Sequence, residues 1–306
     1  MNSTLSRLDG EPPLALAGRR GVLVDYFELT KPRIIVLLLV TTLAAMIMAA
    51  RGVPPLGLVL VTMIGGALAA GSAGAFNCVI DRDIDRLMRR TMARPVAAGR
   101  ISPRAALAFA LGLEILSFAL LYRYAGPLAA WLSLAGNAYY VGIYTLWLKR
   151  TTTLNIVIGG AAGAVPPLVG WAAVTHGIGL PALGLFALIF LWTPPHFWAL
   201  ALMADTDYAR AGIPMLPNVR GSEHTKREIF AYTVVLVAGS LALVPLGVMG
   251  LWYAVPAAIL GAIFLWDAWR MLRGPTKPLA RIVFKYSLLY LALMCAAMVL
   301  DRVLAH

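Results

Sequence analysis

Charge is what this sequence has least of. Of its 306 residues only 14 are acidic and 26 basic, so that 13% are charged, against roughly 25% in a soluble domain of ordinary composition. That deficit excludes a surface covered by water, and most of the outside must face lipid. Cysteine is nearly absent as well. Cys78 and Cys295 are the only two and both lie in apolar runs, which excludes a disulfide framework and leaves them as reduced packing residues. An N-terminal address is also missing. Asp9, Glu11, Asp25 and Glu28 interrupt any Arg/Ser-rich amphipathic pattern, and no apolar stretch precedes the first long hydrophobic run, so neither a signal peptide nor a transit peptide is expected. The location this favours is a bacterial inner membrane.

Apolar sequence, in contrast, is plentiful: 60% of the residues are hydrophobic and mean hydropathy is +0.80. A span needs about 20 mostly apolar residues. Candidate runs lie near 33–50, 56–80, 104–123, 126–148, 153–175, 178–204, 229–250, 251–272 and 282–303. The seventh and eighth are divided only at Met249-Gly-Leu-Trp252, where Pro245 and Pro256 favour a turn. The expected fold is all-α, a polytopic transmembrane bundle of nine spans with a cytoplasmic N-terminus. With that orientation 23 of the 26 basic residues face the cytoplasm, and only Arg51, Arg123 and Arg302 lie outside, as the positive-inside rule requires. A net charge of +12 confined to one membrane face reports insertion and membrane lipid, so no nucleic-acid partner is expected. Residues 1–24, including Gly10-Glu-Pro-Pro13, read as a flexible tail. Residues 25–306 read as one transmembrane domain with long cytoplasmic loops near 82–103 and 205–228. Each loop has a proline ten residues after an aspartate (Asp85 to Pro95, Asp207 to Pro217), an echo that duplication would produce and that chance can also produce.

The second run continues into Asn77, Asp81 and Asp85. On an α-helix, positions i, i+4 and i+8 lie along one face, so two carboxylates and an amide oxygen stack there. Mg²⁺ takes such hard oxygen ligands, completed by substrate phosphates and water. Asp83 lies about 200° round the helix and is expected to pair with an arginine. Aspartates often solvate a helix end, but that alone explains neither the register nor their concentration in so acid-poor a chain. Arg90 and Arg94 follow closely, and Lys149 and Arg150 end the fourth run on the same side. Each serves equally as a topology signal, yet together they suit a diphosphate, whose charge a metal and basic clamps neutralise as it leaves. Beside a lipid-filled bundle, the diphosphate expected is one with a prenyl tail, whose allylic cation needs a water-poor cavity.

These residues resemble the UbiA superfamily of intramembrane prenyltransferases, whose first motif is N-x3-D-x3-D. The likeness extends through Thr30-Lys-Pro-Arg-Ile34, Arg90-Thr91, Arg94-Pro95, Tyr144-Thr145, Leu148-Lys-Arg150, Asn155 to Gly160, Gly163 to Pro167, Gly170-Trp171, Trp192-Thr-Pro-Pro-His-Phe-Trp198, Asp207-Tyr208 and Gly212 to Pro217. It covers about residues 25–300, and His196 through Pro217 is its most specific part. It implies a branch of the superfamily that takes farnesyl diphosphate as donor and heme b as acceptor substrate, with Mg²⁺ as cofactor. Asn77, Asp81 and Asp85 would draw off diphosphate, a heme vinyl group would attack the farnesyl C1, and water would complete the side chain. A downstream heme-modifying enzyme or a terminal oxidase assembly is the partner this implies. The second acidic motif departs from the superfamily pattern: Asp207 has Met203 and Ala211 at four residues' distance, so it either holds metal through one carboxylate or positions a cation such as Arg210. His196, an imidazole within a span, is a candidate for the acceptor site, against a bland role bonding a carbonyl freed by Pro194-Pro195. Lys31 and Arg33 suit heme propionates and equally suit topology anchoring. Glu114 within the third run is either packed and neutral or part of the acceptor cavity, Asp267 reads as a local pair with Arg270, and the glycines of the fifth run read as packing. The rivals are a prenyltransferase acting on an aromatic quinone precursor, a transporter, and a non-catalytic heme-handling protein.

Overall fold

The computed structural model describes residues 21–304. The expected tail, with Gly10–Pro13, Arg7, Arg19 and Arg20, lies outside them except for its last four residues, where a helix already begins at Val22. His306 also lies outside. Every regular element among the described residues is helical. In chain order they are α1 Val22–Leu29, α2 Pro32–Ala50, α3 Leu56–Ile80, α4 Arg82–Leu87, α5 Pro103–Tyr124, α6 Pro127–Ala138, a π-helix Tyr139–Leu148 and the short α7 Lys149–Thr151. They continue as α8 Asn155–Thr175, α9 Leu180–Met203, α10 Asp205–Arg210, α11 Leu216–Arg220, α12 Ser222–Ala242, α13 Leu251–Arg273 and α14 Thr276–Leu304.

Local chemistry starts and stops these helices. Pro32, Pro103 and Pro127 occupy first positions, where no backbone N–H is needed and φ is preset. Ser102 caps α5 by accepting the Ala105 amide at 3.2 Å, one of the donors a helix start leaves unpaired. Gly126 turns α5 into α6 at φ +100°, and a Cβ there would lie 2.9 Å from the His176 ring, so only glycine fits. Close crossings depend on small residues. A Cβ on Gly170 would lie 2.3 Å from the Thr42 carbonyl of α2, and one on Gly160 would lie 2.9 Å from Thr193 of α9.

Seven helices among the described residues are long and apolar enough to cross a membrane: α2, α3, α5, α8, α9, α13 and α14. Two of the nine expected runs differ. The run 126–148 is present as a rod, but its second half winds as a π-helix, so neither half reaches spanning length alone. The run 229–250 belongs to α12, which starts earlier at Ser222 with the charged turn Glu223, Lys226, Arg227, Glu228 and ends at Ala242. Residues 243–250 then form the expected turn before α13. The expected loop 205–228 is largely helical, because α10, α11 and the first turns of α12 fill it.

The buried Asp301 near the end of α14 holds that turn. Its carboxylate accepts the amides of Gly250 (2.7 Å) and Tyr253 (3.2 Å) at the start of α13, satisfying orphan donors and the helix dipole from another element. Asp301→Ala is expected to cost about 2 kcal/mol. This would appear as a lower melting midpoint in detergent.

Candidate metal and diphosphate site

α3 ends at Ile80, and Asp81, at φ −86° and ψ 9°, links it to α4. The i→i−4 pattern nevertheless continues through this break: the Asp81 amide donates to Asn77 O at 2.9 Å and the Asp85 amide to Asp81 O at 2.7 Å. Asn77, Asp81 and Asp85 therefore stay on one face, and all three are buried. Asp83 points away and is largely exposed.

Each ladder residue meets a side-chain cation. The Lys31 ammonium donates to Asn77 Oδ1, and the Lys149 ammonium to Asp81 Oδ2. Arg94 Nη1 donates to both Asp85 oxygens, at 2.9 and 2.8 Å. Asn77 Nδ2 ties the group together, donating to Asp81 Oδ2 at 2.8 Å and to Thr145 Oγ1 at 3.2 Å. Lys31 reaches inward because it adopts φ +56° at the junction of α1 and α2, uncommon for a side chain other than glycine or asparagine. Burial there lowers its pKa to about 8.

One atom remains unpartnered. Asp81 Oδ1 is buried and accepts no hydrogen bond; the Arg150 guanidinium lies 3.8 Å from it. A buried carboxylate oxygen without a partner is costly, and it suits a cation supplied from outside the chain. The donor set fits Mg²⁺ in kind, with two carboxylates and an amide oxygen. Among the described residues no three His, Cys, Asp or Glu side chains converge, so Asp207 does not join Asp81 and Asp85 in one cluster.

Asp207 instead binds backbone. Its oxygens accept the amides of Arg89 (3.3 Å) and Arg90 (3.2 Å), and Arg210 lies 3.9 Å away. This fastens the turn after α4 to α10. Arg90 Nη2 donates to the Tyr208 hydroxyl at 3.3 Å, and burial raises the Tyr208 pKa, so the phenol stays protonated. Arg150 faces outward, donating to both Asp83 oxygens at 2.8 Å and to Ile80 O at 2.9 Å. It brackets the α3–α4 break. The Arg150 hydrogen bonds are the main cause that holds Asp83 down at about 2. What the pair contributes to stability is present above the usual carboxylate range and is lost as pH falls through about 2, so it is constant across neutral pH. Arg33 is exposed on the first turn of α2.

His196 sits on α9 seven residues before its C-terminal end at Met203, roughly 10 Å along the helix at 1.5 Å per residue. Its ring lies between Trp192 (centroids 4.2 Å) and Phe284 (4.7 Å). Its Nδ1 is 2.7 Å from Ser287 Oγ, and Trp192 Nε1 donates to Ser287 O at 2.7 Å. The partner is thus a hydroxyl of α14 rather than a carbonyl freed by the prolines. Glu114 is tied by Asn137 of α6, which also donates to Ala69 O of α3 at 3.3 Å. Asp267 and Arg270 form the expected local pair at 3.6 Å. Gly159 and Gly160 pack against Tyr144 and Thr193, whereas Gly163 meets open space.

Periodicity missed Tyr140, Thr145, Tyr208 and Ser287. Tyr140 lies within electrostatic reach of Asp81, Asp85 and Arg94, and Tyr144 within reach of Asp81, Tyr208 and Arg90. Tyr144, Thr145 and Tyr208 carried a signal as part of the motif likeness; Tyr140 and Ser287 carried none, because nothing in their spacing marks them.

Residues 38–294 match the model of the UbiA prenyltransferase family. The chain is 55% identical to the protoheme IX farnesyltransferase of Gloeobacter violaceus, over 98% of this chain and 97% of that one. It is 54% identical to the protein of the same name from Trichodesmium erythraeum, over 92% and 86%. Among solved structures, a digeranylgeranylglyceryl phosphate synthase superposes with a TM-score of 0.76 at 19% identity, covering 92% of this chain and 98% of that one. A UbiA homolog from Archaeoglobus fulgidus bound to GPP and Mg²⁺ superposes with 0.65 at 15%, covering 90% and 99%. The helical fold, the family match and identities above one half over nearly the whole length agree: this chain belongs to the UbiA prenyltransferase family.

Proposed function

We propose that this chain transfers the farnesyl group of farnesyl diphosphate to a vinyl group of heme b, with addition of water, giving heme O and diphosphate. The observation that carries the reading is the buried ladder with its unpartnered Asp81 Oδ1, surrounded by three cations, in a chain whose relatives of more than half identity bear the name protoheme IX farnesyltransferase.

Asn77, Asp81 and Asp85 would hold Mg²⁺, which supplies Lewis-acid neutralisation of the leaving diphosphate. The chain's own residues do the rest. Lys31, Lys149 and Arg94 exceed the two ladder carboxylates in charge, so the site favours an anion of several charges over a bare metal ion. Asp207 and Tyr208 hold the turn that carries Arg89 and Arg90 against this region. C1 of the farnesyl group is left as an allylic cation once the C–O bond breaks. The vinyl carbon attacks it, and water adds to the resulting cation with loss of a proton. No nucleophilic side chain is needed, so positioning and electrostatics supply the rate. His196, held between two rings and by Ser287, is the acceptor-side residue of this reading, with the exposed Arg33 available to heme propionates, whereas Lys31 is taken up by Asn77 on the ladder.

The α6–π rod and α12 complete nine crossings with the N-terminus and the site in the cytoplasm of a bacterial inner membrane. The product would pass to a heme-modifying enzyme or an oxidase assembly. Incubating the purified protein with heme b, farnesyl diphosphate and Mg²⁺ tests the reaction. A heme product heavier by farnesyl plus water is expected by mass spectrometry. No such product, with turnover of an aromatic quinone precursor instead, would overturn the acceptor.

A further inference from the structure

Ten consecutive residues, Tyr139–Leu148, wind as a π-helix, and the Lys149 amide still bonds Tyr144 O five residues back. Such winding is rare beyond a single turn and concentrates at functional sites. Here it changes which side chains share a face. An α-helix turns about 100° per residue, so Tyr140 and Lys149, nine apart, would point in opposite directions. A helix closed by i→i+5 bonds turns roughly 82° per residue, which returns the ninth residue to within about 20° of the first. By the same arithmetic Thr145 falls about 50° from Tyr140 rather than about 140°.

The contacts follow that face. Lys149 is on Asp81, Thr145 accepts from Asn77, and Tyr140 is within reach of Asp81, Asp85 and Arg94. Tyr144 braces Tyr140, their ring centroids 5.4 Å apart. Gly159 of α8 makes room for it, since a Cβ there would lie 2.3 Å from the Tyr144 ring. Among the described residues the Tyr140 hydroxyl has no hydrogen-bond partner, whereas neighbouring Tyr139, on another face, donates to Ile158 O at 3.0 Å.

We propose that the π winding assembles the leaving-group site and that Tyr140 belongs to it, its hydroxyl donating a hydrogen bond to a diphosphate oxygen. This rests on the diphosphate reading above. Titrating the detergent-purified protein with inorganic diphosphate in the presence of Mg²⁺ tests it without turnover. Tyr140→Phe keeps the ring and its brace but removes the O–H. Its affinity is expected to fall about tenfold, the worth of a hydrogen bond to a charged acceptor, with an unchanged melting midpoint. Tyr139→Phe is expected to bind as wild type. Equal affinity of Tyr140→Phe and wild type overturns the assignment, because an α-wound segment would turn that residue away. An equal loss in Tyr139→Phe overturns it too, by reporting repacking of the segment. A wild-type protein that fails to bind diphosphate with Mg²⁺ sinks the diphosphate reading itself, which separates the two failures.

Discussion

Asp81→Asn lowers kcat/KM for farnesyl transfer by about 10³-fold or more, roughly 4 kcal/mol of transition-state stabilisation. The side chain is fully buried, one oxygen is shared by Asn77 and Lys149, and the other has no partner. Asparagine keeps the size and one acceptor but loses the charge that a divalent ion and its diphosphate require. The same change leaves Lys149 without its counter-charge, and breaking a buried pair costs about 3–5 kcal/mol when nothing replaces it. Stability and catalysis must therefore be read separately. The double variant Asp81→Asn/Lys149→Met is expected to recover most of the melting midpoint and none of the activity. Heme binding, followed by its absorbance, stays at the wild-type level in both. An Asp81→Asn enzyme with near wild-type kcat/KM would remove the ladder from the chemistry.

The ladder was legible because two facts about an α-helix suffice for it. Residues four apart share a face, and Asp83, two from Asp81, does not; the structure keeps both relations although Asp81 interrupts the helix. The all-α membrane-crossing fold was legible from hydropathy, and the break before α13 from Pro245, whereas Pro256 lies inside that helix. What sequence spacing could not reveal has one of two causes. Some contacts join residues far apart in the chain: Asp207 reaches the amides of Arg89 and Arg90 more than a hundred positions away, and His196 meets Ser287 on the last helix. Spacing carries no information about such pairs. The other cause is a wrong period. Tyr140, Thr145 and Lys149 have no common face on an α-helix, so a period of 3.6 residues per turn scatters the residues that a π-helix gathers. The same winding explains why the fourth run, though apolar throughout, is not one uninterrupted α-helix.

Arg94→Gln is expected to lower kcat/KM by about 10²-fold, with most of the loss in KM for farnesyl diphosphate and none in KM for heme. Among the described residues Arg94 is the one cation that engages both oxygens of a ladder carboxylate, and Asp85 is almost fully buried while the guanidinium remains about a quarter exposed. A partly exposed guanidinium on a buried acid can orient Asp85 and meet an incoming phosphate with its remaining N–H groups, which a planar five-donor fork allows. Losing one charge-assisted interaction of this kind costs about 1.5–3 kcal/mol, which is the source of the expected factor. Lysine cannot reproduce the fork, so Arg94→Lys should recover only part of the loss. Steady-state kinetics with each substrate varied in turn separate the outcomes. Full activity in Arg94→Lys would reduce the residue to a point charge, and a matching rise in KM for heme would move it from the diphosphate side of the site to the acceptor side.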